Sequence, residues 1–525
     1  MNNRTVISIL INAHIPWVIN DPAHEKSVFE SISETYLPLL EVFDRLDADH
    51  IPFHLGLSIS PALCCLLSET RMQMRCLDYM SARIEFGRKE VERTSFLHEE
   101  SREQAQRLAK WYYDEAIERQ IQFSERYERN ILKVFHYYQK KGNLELLATA
   151  ATHAFLPLYV SKRETIQAQI ETAVSAFRIH FGKHPIGFYL PELGWMPEID
   201  AFIRAYNFGY TICDSHALVL GKPSATKGSF YPVKTPAGVC VMARDFYATR
   251  AIVGEKGFSC AQEYRDNRRD AGFELPREAL ASFIGKSSCR QATGYKYWSN
   301  GKTPYDPEKA FEQAKAHARE FLDAQSARLR EASNYMKEEP LCLCAVDADS
   351  LGRFWREGTL FLEALFREAV HSGVHCVSPG EYLYDQDGSL LETVVPSFSS
   401  SGVNGYAETW LDSSNDWMYR HIERAVERMT ELAERFPNES GIKERALNQA
   451  ARELLLAQDS CLSKRIYYQE NAGYNAREIE NGLRNFTTIY ESLGSSHIST
   501  DWLTRLERAH HIFPYINYRA FRKKR

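Results

Sequence analysis

The chain has 525 residues, of which 44% are apolar and 25% charged, and its formal net charge is −5 at pH 7. The length exceeds what one hydrophobic core usually supports, so we expect two or three packed units. The charge gives no reason to expect nucleic acid or an acidic membrane surface as a partner. No run approaches the roughly 20 apolar residues of a membrane span. Asn12 and His14 interrupt the first apolar run, which favours a cytoplasmic protein.

Short apolar segments that end on polar residues recur along the first 380 residues. In chain order they span residues 6–11, 53–59, 146–151, 188–190, 210–213, 341–346 and 374–377. Continuous apolar strands separated by helical segments predict a parallel α/β sheet. Polar residues at the strand exits favour a barrel that carries its functional site on that face.

Two regions depart from this alternation. Residues 74–145 are highly charged with a helical period, which predicts a helical insertion packed on the barrel. Residues 420–436, 442–458 and 474–493 carry apolar residues at three- and four-residue spacing, which predicts helices. We therefore expect a catalytic barrel over 1–410 and a helical C-terminal domain over 411–525.

Two acidic residues stand where predicted strands end. Glu192 follows the segment 188–190, and Asp347 follows the segment 341–346. Barrel enzymes present catalytic groups at the C-terminal ends of their strands. Two carboxylates that flank one bond are the catalytic groups of a glycoside hydrolase or transglycosidase. A structural interpretation is also open, in which both acids cap helices or pair with arginines.

Further candidates carry weaker signals. His14 and His153 each follow a predicted strand, where they could bind sugar hydroxyls or a metal, although a lone histidine beside an apolar run is more often structural. Arg244 could form a bidentate clamp or a local ion pair. Trp410 could stack on a sugar, although a buried tryptophan at a domain junction is the commoner case.

Short motifs follow one another in order along nearly the whole chain. They are AHIPWV (13–18), ISETYLPLL (32–40), LSISP (57–61), THAFLPL (152–158), LPELG (190–194), AVDADSLG (345–352), YAETWL (406–411), NDW (415–417) and ARELLLAQ (451–458). Together they resemble glycoside hydrolase family 57, most closely its 1,4-α-glucan branching enzymes and related amylase-like proteins.

The resemblance implies an incomplete (β/α)7 barrel with a helical insertion and an α-helical C-terminal domain. It implies Glu192 as the nucleophile and Asp347 as the general acid/base of a retaining mechanism. The other implied substrate-contacting residues are Arg244, Gly257, His14 and His153. The implied reaction forms α-1,6 links on an α-glucan such as glycogen or amylose, with no metal or organic cofactor.

Several departures from the family pattern cluster in the expected substrate site. Asn12 opens the motif that is usually His-Ala-His, and Cys461 replaces a substrate-contacting aspartate. Ile252 and Ser401 stand where the family places tryptophans, and the loop 221–230 lacks the tyrosine that branching enzymes hold over the site. Because both catalytic acids are kept, we expect altered donor or acceptor preference, or weak activity.

Three alternative functions follow from these residues. An amylase-type hydrolase is favoured if water can reach the intermediate. A non-catalytic glucan-binding homologue would bind without turnover. A metal-dependent polysaccharide deacetylase would use His14, His153, Asp347 and Asp349 as ligands, although the sequence shows no close Asp–His–His group. The sequence gives no indication of the oligomeric state.

Overall fold

The structure, a computed structural model, describes residues 5–19, 21–97, 99–284, 290–495 and 497–524. The strands in chain order are β1 (Thr5–Ala13), β2 (Leu55–Ile59), β3 (Leu144–Leu147), β4 (Gly187–Tyr189), β5 (Tyr210–Asp214), β6 (Val233–Lys234), β7 (Cys240–Arg244), β8 (Leu341–Asp347) and β9 (Val374–Cys376). All residues of β1, β2 and β5 are buried, which explains why these strands are continuous apolar runs in the sequence.

Within the described residues, seven strands run parallel around a barrel in the order β1, β2, β3, β4, β5, β7, β8. A parallel bridge between Ala148 and Phe188 joins the exit of β3 to β4. The backbone N–H of Asp245 donates to the carbonyl of Leu343 over 2.7 Å and joins the end of β7 to β8. Strand β6 pairs antiparallel with β7, and β9 pairs with the start of β1. The predicted (β/α)7 barrel is confirmed.

Helices cover the barrel and form most of the rest of the chain. The helices before residue 300 are α1 (Pro22–Ser31), α2 (Leu37–Ala48), α3 (Pro61–Ser68), α4 (Thr70–Ser95), α5 (Glu99–Ile121), α6 (Ile131–Lys141), α7 (Arg163–Phe181), α8 (Asp200–Ala205), α9 (Ser215–Val219), α10 (Phe246–Val253), α11 (Ala271–Glu274) and α12 (Arg277–Ile284). The later helices are α13 (Pro307–Ala332), α14 (Gly358–Ser372), α15 (Pro379–Tyr384), α16 (Trp417–Arg435), α17 (Gly441–Leu456), α18 (Ser460–Tyr467), α19 (Ala472–Gly494) and α20 (Thr500–Ala509). In the described part of the chain, no helix combines the length and apolar character needed to cross a bilayer.

Ser-Pro pairs at strand exits start two of these helices. The Ser60 hydroxyl accepts a hydrogen bond from the backbone N–H of Leu63, and the Ser378 hydroxyl accepts one from that of Glu381. The proline that follows each serine is pre-organised for the first helical position, where no hydrogen bond from its nitrogen is required. The polar strand exits seen in the sequence are therefore partly helix caps.

The predicted insertion at 74–145 contains most of α4, all of α5 and α6, and the start of β3. The C-terminal region begins with α16, whose buried face repeats every three or four residues through Met418, Ile422, Ala425, Met429 and Leu432. Helices α18 and α20 lie outside the helices predicted from the sequence. The domain boundary at 410/411 stays a prediction.

A buried polar network fixes the end of α17 against the barrel. The Thr152 hydroxyl donates to the carbonyl of Leu455 over 2.7 Å, and the Gln169 amide donates to Gln458 Oε1 over 3.0 Å. The Gln458 amide in turn donates to Thr165 Oγ1 over 2.8 Å. Because buried amides and hydroxyls must be satisfied by specific partners, this network places α18 over the barrel mouth.

Candidate active site

A cavity of about 350 Å³ lies at the C-terminal ends of the barrel strands, with α18 on one side. Four of the predicted site residues line it together, namely His14, His153, Glu192 and Asp347. Helix α18 and its flanks add Cys461, Lys464, Arg465 and Tyr468. The cavity therefore joins the predicted catalytic acids to groups from the C-terminal region.

Glu192 lies in a short 3₁₀ turn, Pro191–Leu193, directly after β4. Its φ of 56° and that of Leu193, 52°, are in the left-handed region that non-glycine residues rarely adopt. The backbone N–H of Ser401 donates to the Glu192 carbonyl over 2.8 Å. A Cβ at Gly194 would come within 2.5 Å of the Phe155 ring, so only glycine allows this close packing. The hydrogen bond from Ser401 and the close packing at Gly194 thus stabilise this turn. Strained backbone at a functional site needs such support from its surroundings.

The Glu192 carboxylate is 7% exposed and has three polar neighbours. The Ser460 hydroxyl donates to Oε1 over 3.3 Å, and the Lys464 ammonium lies 3.1 Å from Oε2. His153 Nδ1 lies 3.9 Å from Oε1. The charge of Glu192 raises the pKa of Lys464 above its ordinary value. Lys464 is therefore charged beside Glu192, and a neighbouring cation favours the ionised carboxylate that a nucleophile requires.

Asp347 has a different environment. It is the last residue of β8 and is exposed, and its Oδ1 accepts a hydrogen bond from the Asn12 amide over 3.1 Å. It makes no side-chain capping bond to the following turn. The ion pairs found among the described residues include none at Asp347 within 4 Å. The structural interpretation of the two acids, as caps or arginine partners, therefore fits neither of them.

Asn12 and His153 connect the two carboxylates. Asn12 pairs with Asp347 in the β1–β8 register, and its Nδ2 also lies 3.3 Å from His153 Nε2. Since an amide NH₂ group only donates, His153 Nε2 accepts and its proton is assigned to Nδ1, which faces Ser460 Oγ at 3.1 Å. Burial, followed by the charges of His14 and Lys464, lowers the pKa of His153 well below its ordinary value. His153 is therefore a neutral link between the acids.

His14 stacks parallel on His153, with ring centroids 4.4 Å apart. Its Nδ1 lies 2.8 Å from Ser60 Oγ, and its Nε2 lies 3.2 Å from Asp459 Oδ1. Burial lowers the pKa of His14, but Asp459 and Cys461 together outweigh this effect, and the pKa rises to about 10. One imidazole of the stacked pair is thus charged and the other is neutral.

Asp349 anchors the backbone beside Asp347. The hydroxyls of Ser31 and Thr35 each donate to it over 2.9 Å, and Arg353 lies 3.7 Å away. Burial raises the pKa of Asp349. Its oxygens are therefore engaged in fixing the π-helical turn Ile32–Tyr36 against the turn that follows Asp347.

The deacetylase alternative required His14, His153, Asp347 and Asp349 to act as one set of metal ligands. Among the described residues, the single group close enough for shared metal binding joins His14 to Asp459 and Cys461 instead. The Asn12 amide lies between His153 and Asp347 and contacts both. Asp349 accepts hydrogen bonds from Ser31 and Thr35. The ligand set of that alternative does not assemble.

Three predicted substrate-contacting residues lie outside the cavity lining. Arg244 pairs with Asp214, its register partner across β5 and β7. Gly257 follows α10, where a Cβ would come within 2.7 Å of the Arg250 carbonyl oxygen. Trp410 is fully buried and stacks on Phe155, with ring centroids 4.2 Å apart. The ion pair of Arg244, the close backbone contact at Gly257 and the ring stacking of Trp410 each give these residues a structural role. Their contact with substrate stays a prediction.

Replacing Trp410 by Ala is expected to destabilise the protein by about 3–5 kcal/mol, because the truncation leaves a large cavity beside Phe155. Trp410→Phe should cost less, since it keeps an aromatic face and removes an indole N–H that has no partner among the described residues. Thermal and denaturant unfolding would measure the difference. Phe354→Ala is the control, because Phe354 is 60% exposed, and an equal loss in that variant would contradict a packing role for Trp410.

The positions that depart from the family pattern fall into two groups. Asn12 and Cys461 line the cavity. Ile252 is buried in the core, and Ser401 has an exposed side chain on the loop that holds Glu192. Aromatic side chains are nevertheless present in the cavity lining, where Phe354 and Tyr468 are 60% and 50% exposed. These rings have the apolar faces on which sugars stack.

Asn12→Ala is expected to lower kcat by about 10–100-fold, because it removes the hydrogen bond to the Asp347 carboxyl group and the link to His153. Steady-state kinetics on a maltooligosaccharide would show the effect mainly in kcat. Asn143→Ala is a matched control, since that amide bonds the Phe53 carbonyl outside the cavity. If the two variants had equal kcat values, the Asn12 link would have no role in the chemistry.

Ser460 and Lys464 are candidate site residues that were not predicted from the sequence. They lie four positions apart on α18, so they occupy one helical face, and both contact Glu192. The backbone of Asp459, just before this helix, bridges to Ala154 beside His153. Because α18 lies outside the helices predicted from the sequence, the shared helical face of Ser460 and Lys464 is visible only in the structure.

A parallel β/α barrel with two acids, a histidine pair and aromatic rings on one cavity has the groups that a glycoside hydrolase requires. The chain belongs to glycosyl hydrolase family 57, whose sequence profile matches residues 8–389. A second profile, described as the C-terminal region of 1,4-alpha-glucan branching enzymes, matches residues 421–521. The family resemblance seen in the motifs is confirmed.

Known relatives agree with this assignment. The chain is 26% identical to a 1,4-alpha-glucan branching enzyme of Thermococcus kodakarensis, over 86% of this chain and 68% of that protein. The crystal structure of the alpha-amylase AmyC from Thermotoga maritima is 32% identical, with a TM-score of 0.91 over 99% of this chain and all of that one. A branching enzyme structure from Pyrococcus horikoshii, at 24% identity, has a TM-score of 0.87 over 99% of this chain and 97% of that one.

Proposed function

We propose that this protein is a retaining α-glucan transglycosidase, a 1,4-α-glucan branching enzyme that forms α-1,6 links. The observation that carries the proposal is the placement of Glu192 and Asp347 on one cavity in unlike environments. Glu192 is buried against Lys464, whereas Asp347 is exposed and bonded to a neutral amide. The branching-enzyme profile at the C-terminus and the Thermococcus relative support the branching reaction.

In the first step, a Glu192 carboxylate oxygen attacks the anomeric carbon of an α-1,4-linked glucan. The bond to the glycosidic oxygen breaks, and protonated Asp347 gives its proton to that oxygen. The product is a glycosyl ester on Glu192 with inverted configuration. A retaining route of this kind expects the two carboxyl groups roughly 5–5.5 Å apart.

In the second step, the Asp347 carboxylate takes a proton from a 6-hydroxyl group of an acceptor chain. The acceptor oxygen attacks the anomeric carbon, the ester bond breaks, and Glu192 is released as a carboxylate. The two inversions restore the α configuration in the new α-1,6 link. A 4-hydroxyl as acceptor would give disproportionation, and water would give hydrolysis.

Amylase-type hydrolysis is the second candidate function. The full-length similarity to the Thermotoga alpha-amylase at 32% identity is the observation that favours it. The two reactions share the first step and differ only in the acceptor, so exclusion of water from the intermediate decides between them.

Incubation of the purified protein with amylose separates the two candidates. Reducing ends are measured directly and again after treatment with a debranching enzyme, with Glu192→Gln as the inactive control. New ends that appear only after debranching would support branching. Ends that rise at once would mean hydrolysis, and no difference from the control would argue against turnover of this glucan.

The proposed substrate is a polymer such as glycogen or amylose. We also propose a cytoplasmic location. Cys64, Cys76 and Cys213 are among the free cysteines, which fits a compartment that keeps thiols reduced.

A further inference from the structure

A cluster of three unlike side chains lies on the wall of the cavity. One ligand atom each from His14, Asp459 and Cys461 lies within 4.8 Å of the other two. His14 Nε2 and Asp459 Oδ1 are 3.2 Å apart. Two ligands of a tetrahedral zinc ion, each bonded at about 2.0 Å, lie about 3.3 Å from one another. The distance between His14 Nε2 and Asp459 Oδ1 therefore matches that between two ligands of one zinc ion.

The surroundings of the cluster orient its atoms for coordination. His14 Nδ1 bonds to Ser60 Oγ at 2.8 Å, which leaves Nε2 to face Asp459 and Cys461. Metal-binding histidines usually hold their second ring nitrogen in such a bond. The backbone N–H of Cys461 donates to Asp459 Oδ1 over 2.9 Å, so the two residues have a fixed relative position at the start of α18.

The chemistry of the three groups selects a particular class of ion. A thiolate, an imidazole and a carboxylate together suit zinc and similar borderline divalent ions rather than magnesium or calcium. Three protein ligands leave a fourth position open, and His14 and Cys461 both line the cavity. That position would face the space where Glu192 and Asp347 meet the substrate.

We propose that His14, Asp459 and Cys461 form a binding site for one zinc-class divalent ion on the wall of the catalytic cavity. The ion would occupy part of the space available to a glucan and would inhibit turnover reversibly. The inhibitory role rests on the proposed function, whereas ion binding does not. Without an ion, His14 Nε2 and Asp459 Oδ1 contact each other directly over 3.2 Å.

Cobalt titration of tag-free, chelator-treated protein tests the site directly. The wild type is expected to bind one Co²⁺ per chain with a thiolate-to-cobalt charge-transfer band, and Zn²⁺ should displace it. Cys461→Ser should lose the band and weaken Zn²⁺ binding by more than the roughly 10–100-fold that loss of an outer-shell partner costs. Cys260→Ser is the matched control, because Cys260 is exposed and lies outside the cavity lining, and it should keep both signals.

A wild-type protein without the thiolate band would overturn the proposal, and so would a Cys461→Ser variant that keeps it. His14→Gln provides a second variant whose loss of binding is read by the same spectrum, and circular dichroism checks that each variant is folded. Inhibition is measured separately as residual glucan transfer at saturating Zn²⁺. Binding without inhibition would overturn the inhibitory role alone, and the cobalt spectrum decides on the site even if the protein proves inactive on glucans.

Discussion

Replacing Glu192 by Gln is expected to lower the rate of glucan transfer by about 10⁴-fold or more, because the amide cannot form the glycosyl ester. The side chains are nearly the same size, so the 3₁₀ turn and the contact with Ser460 should persist. Initial rates on amylose, measured together with thermal stability, would separate a catalytic loss from unfolding.

Glu198→Gln is the matched control for this experiment. Glu198 is an exposed acid six residues further along the chain, outside the cavity lining, and its replacement should leave the rate unchanged. A Glu192→Gln variant that is folded and keeps more than a few per cent of the wild-type rate would contradict the assignment of the nucleophile.

Replacing Lys464 by Met is expected to lower kcat by about 10²–10³-fold, an effect comparable to the loss of one pre-organised charge or donor in an active site. The Lys464 ammonium lies 3.1 Å from Glu192 Oε2 and is its partner of opposite charge. Without the cation, the buried Glu192 carboxylate loses the interaction that favours its ionised, nucleophilic form. Steady-state kinetics would show the loss in kcat more than in KM.

Lys162→Met provides the control, because Lys162 pairs with Glu427 at the surface, where ion pairs contribute little. It should leave kcat unchanged. Lys464→Arg should recover part of the activity by restoring the charge. A Lys464→Met variant with the kcat of the wild type would show that the ion pair does not prepare the nucleophile.

The part of the site that comes from the barrel could be predicted from the sequence. Glu192, Asp347, His14 and His153 each follow an apolar strand, and the C-terminal ends of parallel strands meet on one face. The structure places all four on one cavity for that reason. The residues at the predicted strand ends thus indicate both the barrel fold and the positions of the two acids.

The contribution of the C-terminal region could not be predicted in the same way. Helix α18 has only eight residues, which is too short for a clear apolar period, and it brings Ser460 and Lys464 to Glu192 across 268 and 272 positions of sequence. Likewise, the motif around Trp410 does not reveal that its ring is buried against Phe155. The position of α18 and the burial of Trp410 both depend on contacts between segments that are far apart in the sequence.

The departures from the family pattern also need the structure for their interpretation. Ile252 belongs to the core and Ser401 to a supporting loop, so neither changes the cavity wall directly. Asn12 and Cys461 do line the cavity, and each contributes a specific polar group there. Of these four positions, only Asn12 and Cys461 are therefore placed to change the donor or acceptor preference directly.

Trapping the glycosyl-enzyme tests the central claim most directly. Asp347→Ala would be incubated with α-maltosyl fluoride, whose leaving group needs no acid, and the protein would be digested and analysed by mass spectrometry. Because the variant lacks the base for the second step, a maltosyl adduct is predicted on the peptide that contains Glu192. A protein that releases fluoride without an adduct, or that carries the adduct on another residue, would contradict Glu192 as the nucleophile of a retaining enzyme.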